Sequence, residues 1–185
     1  TKIEIAESAQ LNYLYEDSNK SGRGSHIQEF FDNSSANYVG NLSNIAHKIC
    51  GHSYYTTSGN TTLINTRQNV KDQVQQTDSS LEFWMSEYCL LENNSEVQGN
   101  GRDLGIDPAL YLSKVIHTDL AVANASSWQW WIALSPYDYK DGLVYIDNNK
   151  FDGEVYDSKL LWALGNYSYF IKEGYQRINL NRSDN

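Results

Sequence analysis

This chain of 185 residues has few of the residues that build covalent or metal-held frameworks. Its two cysteines, Cys50 and Cys89, are too few for a disulfide framework and lack the spacing of metal ligands. We expect two small buried thiols, with a Cys50–Cys89 bridge as the less favoured alternative. The four histidines are scattered, without a cluster of Cys or Asp beside them, which argues against a structural zinc site. We therefore expect no metal and no other cofactor.

Basic residues and long apolar runs are also scarce. The chain has 14 Lys and Arg against 23 Asp and Glu, and no basic stretch. Because phosphate neutralisation supplies most of the affinity for nucleic acids, no nucleic-acid partner is predicted. No apolar run reaches the roughly 20 residues of a membrane span, so none is predicted. The first predicted strand is not followed by a glycine-rich nucleotide turn, which argues against a dinucleotide-binding sheet.

Aromatic residues, in contrast, are abundant: 13% of the chain, with five Trp and fourteen Tyr. Such rings stack on sugars and bases, or they fill cores and interfaces. The most informative segment is 83–89, an apolar and aromatic run that carries Ser86 and Glu87 towards its end. A carboxylate on such a strand is costly unless it is hydrogen-bonded or used. Two interpretations follow: Glu87 is functional, or it pairs with a nearby Lys or Arg.

Segments typical of strands and helices alternate along the chain. This alternation predicts four βα units with right-handed crossovers and a parallel sheet, and a hairpin before the fourth helix. The architecture is either a small open α/β sheet or half of an eight-stranded barrel, and the lack of a nucleotide turn favours the half-barrel. The predicted strands are 2–7, 48–56, 81–88, 127–134 and 176–180, the hairpin strands are 142–146 and 151–156, and the helices are 26–48, 63–76, 107–124 and 159–170.

Polar and aromatic side chains collect at the predicted strand ends, where the chemistry of a parallel barrel is found. Together they offer rings for sugar faces, polar groups for hydroxyls and a carboxylate for the anomeric carbon. The candidates are Glu7, His52, Tyr54, Glu87, Tyr88, Trp128 and Trp130.

Each of these candidates also has a structural explanation. In this alternative, Glu7 forms an ion pair with Lys48 or Arg67, and His52 is a structural hydrogen-bonding group. Since side chains alternate along a strand, only one of two neighbouring tyrosines faces the cleft, and we prefer Tyr54 to its neighbour. By the same rule, one member of the pair 130–131 is expected to point into the core.

Four segments resemble glycoside hydrolase family 30, the glucosylceramidase and endo-β-glycanase family. Trp84-Met85-Ser86-Glu87-Tyr88 resembles its seventh-strand nucleophile segment, and Gly51-His52-Ser53-Tyr54 resembles its sixth strand. Segment 127–134 is similar to its eighth strand, where a Trp lines the sugar site. Segment 163–171 is similar to the last helix before the family's β-domain. The chain departs from that last pattern, away from the chemistry, at Tyr169, Lys172 and Glu173.

The resemblance implies the C-terminal half of a (β/α)8 TIM barrel over residues 1–174, with a β-rich accessory domain or linker beginning at 175–185. It implies a retaining glycoside hydrolase whose nucleophile is Glu87 and which acts on a β-linked oligo- or polysaccharide. Such an enzyme needs a second carboxyl group about 5–5.5 Å away. The family carries this acid/base on its fourth strand in an Asn-Glu pair, and the sequence has no such pair. We therefore expect the acid/base on an N-terminal half of the barrel, which is then a required partner.

The resemblance also assigns supporting roles. His52, Tyr54 and Tyr88 would orient the nucleophile and the sugar hydroxyls, Trp128 and Trp130 would supply a stacking wall, and Glu7 a supporting contact at most. A polysaccharide substrate implies a secreted, periplasmic or cell-surface location. Two other hypotheses stay open from the residues alone: a non-catalytic carbohydrate-binding or structural half-barrel, and an acidic α/β interaction domain whose aromatics form the core.

Overall fold

The computed structural model of this chain describes residues 1–17, 19, 21–149 and 151–178. Its main sheet has four strands in the order β1-β2-β3-β4, and every neighbouring pair is parallel. The predicted α/β class with a parallel sheet is therefore confirmed. The strands are β1 (Ile3–Ser8), β2 (Ile45–His52), β3 (Glu82–Glu87) and β4 (Ser127–Trp128).

Helical segments connect consecutive strands, as a series of βα units requires. A short 3-10 helix (Leu11–Leu14) and α1 (His26–Phe31) follow β1, and α2 (Asn60–Thr77) follows β2. The helix α3 (Ile106–Ala121) follows β3, and α4 (Lys159–Phe170) is the last helix. Both α2 and α4 agree closely with the helices that the sequence predicts.

The predicted hairpin is present in a second small sheet, but its strands are shorter than the predicted 142–146 and 151–156, and the second begins only at Val155. Its strands β6 (Val144–Ile146) and β7 (Val155–Asp157) are antiparallel. A further strand, β5 (Leu134–Ser135), pairs in parallel with β6. The hairpin precedes α4, as predicted.

The predicted helix 26–48 is wrong beyond its first two turns, since α1 ends at Phe31. The Asp32 carboxylate accepts hydrogen bonds from the Ser34 N–H at 2.9 Å and from the Ser34 hydroxyl at 2.8 Å. Such a local turn competes with helix for the same backbone groups. The residues that follow form turns, and β2 begins earlier than predicted, at Ile45.

Two predicted strands are too long. The strand predicted over 48–56 ends at His52, and that over 127–134 ends at Trp128. After Trp131 the backbone pairs instead with the second sheet, since the Ile132 N–H donates to the Asp141 carbonyl and the Leu143 N–H to the Ile132 carbonyl. Of the strand predicted at 176–180, residues 176–178 are not a strand, and the last two lie outside the described residues.

The hydrophobic core lies between the main sheet and the helices. Ile49 of β2 and Met85 of β3 are fully buried there, against side chains such as Leu14 and Val115. Burying each such side chain contributes about 1.5–3 kcal/mol. Packing is close at Gly51, where an added Cβ would lie 3.0 Å from a methyl carbon of Leu14.

The other face of the main sheet carries charged and amphipathic side chains. Lys48 forms an ion pair with Glu4 (Nζ–Oε1 3.6 Å), and its ammonium lies 3.1 Å from the centre of a Trp84 ring. The Trp84 indole N–H donates to Glu82 at 3.0 Å. The functional candidates lie at the carboxyl ends of the strands. None of the described helices has the length and apolar character needed to cross a membrane.

Candidate active site

Glu87 is the last residue of β3, beside the end of β2, where His52 is its register partner. The Tyr54 hydroxyl donates to Glu87 Oε1 at 3.1 Å, and His52 Nδ1 lies 3.8 Å from the same oxygen. The side chain keeps 33% of its surface exposed. Within the described part of the chain, no Lys or Arg forms an ion pair with Glu87. The alternative that Glu87 forms an ion pair with a nearby Lys or Arg therefore has no support among the described residues.

Glu7, near the end of β1, is joined to this group through His52. Its Oε2 atom lies 2.8 Å from His52 Nε2 and accepts a hydrogen bond from the Ser86 hydroxyl, also at 2.8 Å. The two basic partners that the sequence suggested for Glu7 are engaged elsewhere: Lys48 with Glu4, and Arg67 with Asp119. The His52 ring therefore lies between two carboxylates, and Glu7 and Ser86 fix its position.

Tyr54 is buried and reaches Glu87, as predicted, although for a different reason than strand alternation. The chain has already left β2, and Tyr55 has a left-handed backbone (φ 57°) with 62% of its side chain exposed. Burial raises the pKa of the Tyr54 phenol, and its neighbours Cys89 and Glu87 raise it further. The phenol therefore stays protonated and acts as a donor to Glu87.

Both cysteines are free and buried, which confirms the preferred alternative of two unbridged thiols. Burial raises the pKa of the Cys50 thiol and of the Cys89 thiol to about 12 in each case. Cys89 Sγ lies 3.6 Å from the Tyr54 hydroxyl, so it packs against the phenol that contacts Glu87. Neither thiol is a nucleophile at neutral pH, because thiolates carry that reactivity.

Glu4, Glu7 and Cys50 bring one ligand atom each to within 4.8 Å of one another. This set does not fit a metal well. The Cys50 thiol holds its proton because burial raises its pKa, and one oxygen of Glu7 already contacts His52 and Ser86.

The predicted sugar contact by Tyr88 is not what the structure shows. Tyr88 is fully buried, and its hydroxyl donates to Thr57 Oγ1 at 3.4 Å. Its ring packs against Tyr54, with centroids 5.5 Å apart, and against Trp130 at 6.3 Å. Tyr88 lies just beyond the end of β3, and these rings and its hydrogen bond enclose it fully. Tyr88 therefore packs against the aromatic side chains of the site without being exposed itself.

Trp128 and Trp130 lie together, as predicted, in a stacked pair with centroids 6.3 Å apart and an interplanar angle of 18°. The Trp128 indole N–H donates to Asp119 at 2.9 Å, and that of Trp130 to the Asp141 carbonyl at 2.8 Å. Both rings are partly buried. Of the pair 130–131, Trp130 packs inward, whereas Trp131 is 52% exposed.

Three groups around these residues are not among the predicted site residues. The Trp131 side chain is exposed beside the strand end, and the Trp131 backbone N–H donates to the Tyr88 carbonyl at 2.9 Å. Glu92 is buried and accepts hydrogen bonds from the Tyr55 N–H and the Thr57 hydroxyl, both at 2.8 Å. Burial raises the pKa of Glu92, although these hydrogen bonds oppose the shift.

The third group is the ion pair of Arg67 and Asp119, which had a signal in the sequence. Arg67 occupies a core position of α2, in helical register with Leu63, Val70 and Val74. Asp119 occupies the equivalent position of α3, after Leu112, Val115 and Ile116. A charge at an apolar position of each of two neighbouring helices indicates a buried pair.

Comparisons with known proteins agree with this architecture. A conserved exported protein from Bacteroides fragilis is 30% identical, with a TM-score of 0.82 over 94% of this chain and 37% of that protein. A family 30 endoxylanase from Clostridium papyrosolvens is 20% identical, with a TM-score of 0.58 over 100% of this chain and 36% of the enzyme, and supports the fold alone. The chain thus spans little more than a third of the length of these two proteins.

The model of one family, described as O-glycosyl hydrolase family 30, matches residues 1–145. This match covers β1 to β4, the site at the strand ends and the connection into β6. The chain therefore belongs to O-glycosyl hydrolase family 30.

Proposed function

We propose that this chain is the C-terminal half of the (β/α)8 barrel of a retaining glycoside hydrolase that cleaves a β-linked oligo- or polysaccharide. One observation carries the proposal: the strand-end carboxylate Glu87 has a phenol donor and no Lys or Arg counter-ion among the described residues. A carboxylate with a cationic partner would be a weaker nucleophile. Membership of a glycosidase family supports the same conclusion.

In the first step, a Glu87 oxygen attacks the anomeric carbon while the bond from that carbon to the leaving oxygen breaks. A carboxylic acid protonates the leaving oxygen, and a covalent glycosyl–enzyme results. In the second step, that group removes a proton from water, which attacks the same carbon and releases Glu87. In this scheme Tyr54 holds Glu87 through its Oε1 atom while the carboxylate attacks.

The remaining side chains position this reaction. Tyr54 holds the Glu87 carboxylate in one rotamer, and His52, fixed by Glu7, faces the same carboxylate and the sugar hydroxyls. Trp130 and Trp128 form the inner part of a stacking wall, and the exposed Trp131 extends it. Tyr88 supports this wall without touching the sugar.

The acid/base carboxyl group is proposed to lie on an N-terminal half of the same barrel. The sequence has no Asn-Glu pair, and Glu7 is engaged by His52 and Ser86. The proposed boundary places the half-barrel at 1–174, through α4, and the start of a β-rich accessory domain at 175–185. Secretion is proposed because the similar Bacteroides fragilis protein is described as exported.

The test uses the full-length product of the gene that encodes this chain, assayed on a panel of β-linked glucans, xylans and galactans. We expect proton NMR to show the β-anomer as the first product, since two displacements retain configuration. Glu87→Gln should lower kcat by at least about 10³-fold, because the nucleophile is lost.

The matched control is Glu82→Gln, the carboxylate at the opposite end of the same strand, where it accepts hydrogen bonds from the Trp84 indole and the Ser126 hydroxyl. It should leave kcat within about twofold. An α-anomer as first product, or full activity in Glu87→Gln, would contradict the proposal.

A further inference from the structure

Behind the strand-end site lies an ion pair that is closed to solvent. Arg67 of α2 and Asp119 of α3 both have fully buried side chains, and Arg67 Nε donates to Asp119 Oδ1 at 2.8 Å. Neither side chain reaches the cleft, so neither contacts a sugar. Their effect on the site has to pass through other residues.

Asp119 connects the pair to two parts of the site. Its carboxylate accepts the Trp128 indole N–H at 2.9 Å and the Ser53 hydroxyl at 3.0 and 3.1 Å. Trp128 is one ring of the stacking pair, and Ser53 directly precedes Tyr54. One buried carboxylate therefore holds both the aromatic wall and the start of the loop that carries the donor to Glu87.

Arg67 holds the same loop at its far side. Its Nη1 atom donates to the Thr56 carbonyl and, at 3.1 Å, to the Thr56 hydroxyl. The loop is thus fixed at Ser53 and at Thr56, on both sides of Tyr54. The Tyr54 hydroxyl in turn lies 3.1 Å from Glu87 Oε1.

Stability alone does not account for this pair. Removing two charges from water is costly, and well-packed apolar replacements of buried pairs are often neutral or stabilising. Here Arg67 Nη2 is buried without a hydrogen-bond partner in the described part of the chain, which adds to that cost. What the pair provides, and apolar side chains of similar volume would not, is directed hydrogen bonds to Trp128, Ser53 and Thr56.

We propose that Arg67 and Asp119 are positioning residues that set Trp128 and Tyr54 against the sugar and the nucleophile. This inference rests on the proposed glycosidase function for its kinetic consequence. Its structural consequence, the fixed position of Trp128, is independent of activity.

The experiment compares the full-length protein with its double variant Arg67→Met/Asp119→Leu, both labelled with 5-fluorotryptophan. Trp128→Phe assigns the Trp128 fluorine resonance. We expect the double variant to melt within about 5 °C of the parent, as apolar replacement allows. We also expect its Trp128 resonance to broaden or split, and kcat/KM to fall at least about tenfold. A single unshifted Trp128 resonance with kcat/KM within about twofold would overturn the proposal.

If the double variant does not fold, a double-mutant cycle tests whether Asp119 acts through Trp128. Asp119→Asn combined with Trp128→Phe should be non-additive in kcat/KM by at least about fivefold, because the two residues share a hydrogen bond. Asp119→Asn with Trp130→Phe is the matched control, since the Trp130 indole bonds the Asp141 carbonyl instead, and it should be additive within about twofold. Equal additivity in both cycles would refute the positioning role.

The two proposals fail in different ways. A parent protein without activity on the glycan panel would refute the glycosidase proposal. The fluorine spectra would still test whether Arg67 and Asp119 fix the position of Trp128.

Discussion

Two groups of carboxylates lie on opposite sides of the same strand ends, and they are held in opposite ways. At the front, Glu7 and Glu87 keep 49% and 33% of their surface exposed, and their partners are His52, Tyr54 and Ser86. At the back, Asp119 has no exposure and binds a guanidinium. Hydrogen bonds hold both groups in place, but only the front group leaves oxygens open to a ligand. The contrast separates partly exposed carboxylates at the strand ends from a fully buried carboxylate that contacts only protein groups.

The largest difference should appear in stability. Asp119→Leu alone leaves the Arg67 guanidinium buried without its counter-ion, and we expect a loss of about 3–5 kcal/mol in the free energy of unfolding. Glu7→Gln changes a half-exposed group and should cost less than about 1 kcal/mol. Urea denaturation of the full-length protein measures both values. Equal losses would show that the two groups are not held differently.

A smaller effect, on catalysis, should come from the contact between Tyr54 and Glu87. Tyr54→Phe keeps the ring and removes the donor, so kcat/KM should fall about 10–100-fold, while the free energy of unfolding changes by less than about 1.5 kcal/mol. Tyr55→Phe is the matched control, because that side chain is exposed and should leave kcat/KM within about twofold. If Tyr54→Phe keeps the parent's kcat/KM, the front group does not depend on its phenol.

The smallest effect should be a pH dependence from Glu92, a buried carboxyl that holds the Tyr54–Thr57 loop. Burial raises its pKa in the folded state above the unfolded value. Folding is therefore favoured most below the unfolded pKa, and this stability is lost as the pH rises through the folded pKa. Glu92→Gln should flatten this part of the curve of unfolding free energy against pH, above pH 4.5. An unchanged slope in that variant would show that Glu92 does not titrate as described.

The sequence predicts a helix or strand well where the interactions that define it lie within the same segment. The bounds of α4 and the presence of the hairpin are predicted correctly, because the helical spacing and turn residues that define them lie within the segments themselves. The helix 26–48 and the strand 127–134 are not, because a side-chain turn at Asp32 ends the first and pairing with the distant Leu143 ends the second.

The site follows the same rule. Glu87, His52 and Tyr54 converge because parallel strands end at one edge, which the order of elements already implies. Tyr88 is misassigned because its burial depends on rings from other segments, Tyr54 and Trp130, that the local sequence pattern does not show. The helical pattern places Arg67 and Asp119 each at a core position, but their contact joins residues 52 positions apart in sequence, so the pairing itself is not local information.

Trapping of the covalent intermediate would identify the nucleophile without further assumptions. The full-length protein would be incubated with 2-deoxy-2-fluoro-β-glycosides of glucose, xylose and galactose carrying a good leaving group, digested and analysed by mass spectrometry. We expect one added glycosyl group on the side chain of Glu87, and none in Glu87→Gln. An adduct on a different carboxylate would contradict this expectation, as would turnover of the matching unfluorinated glycoside without any adduct.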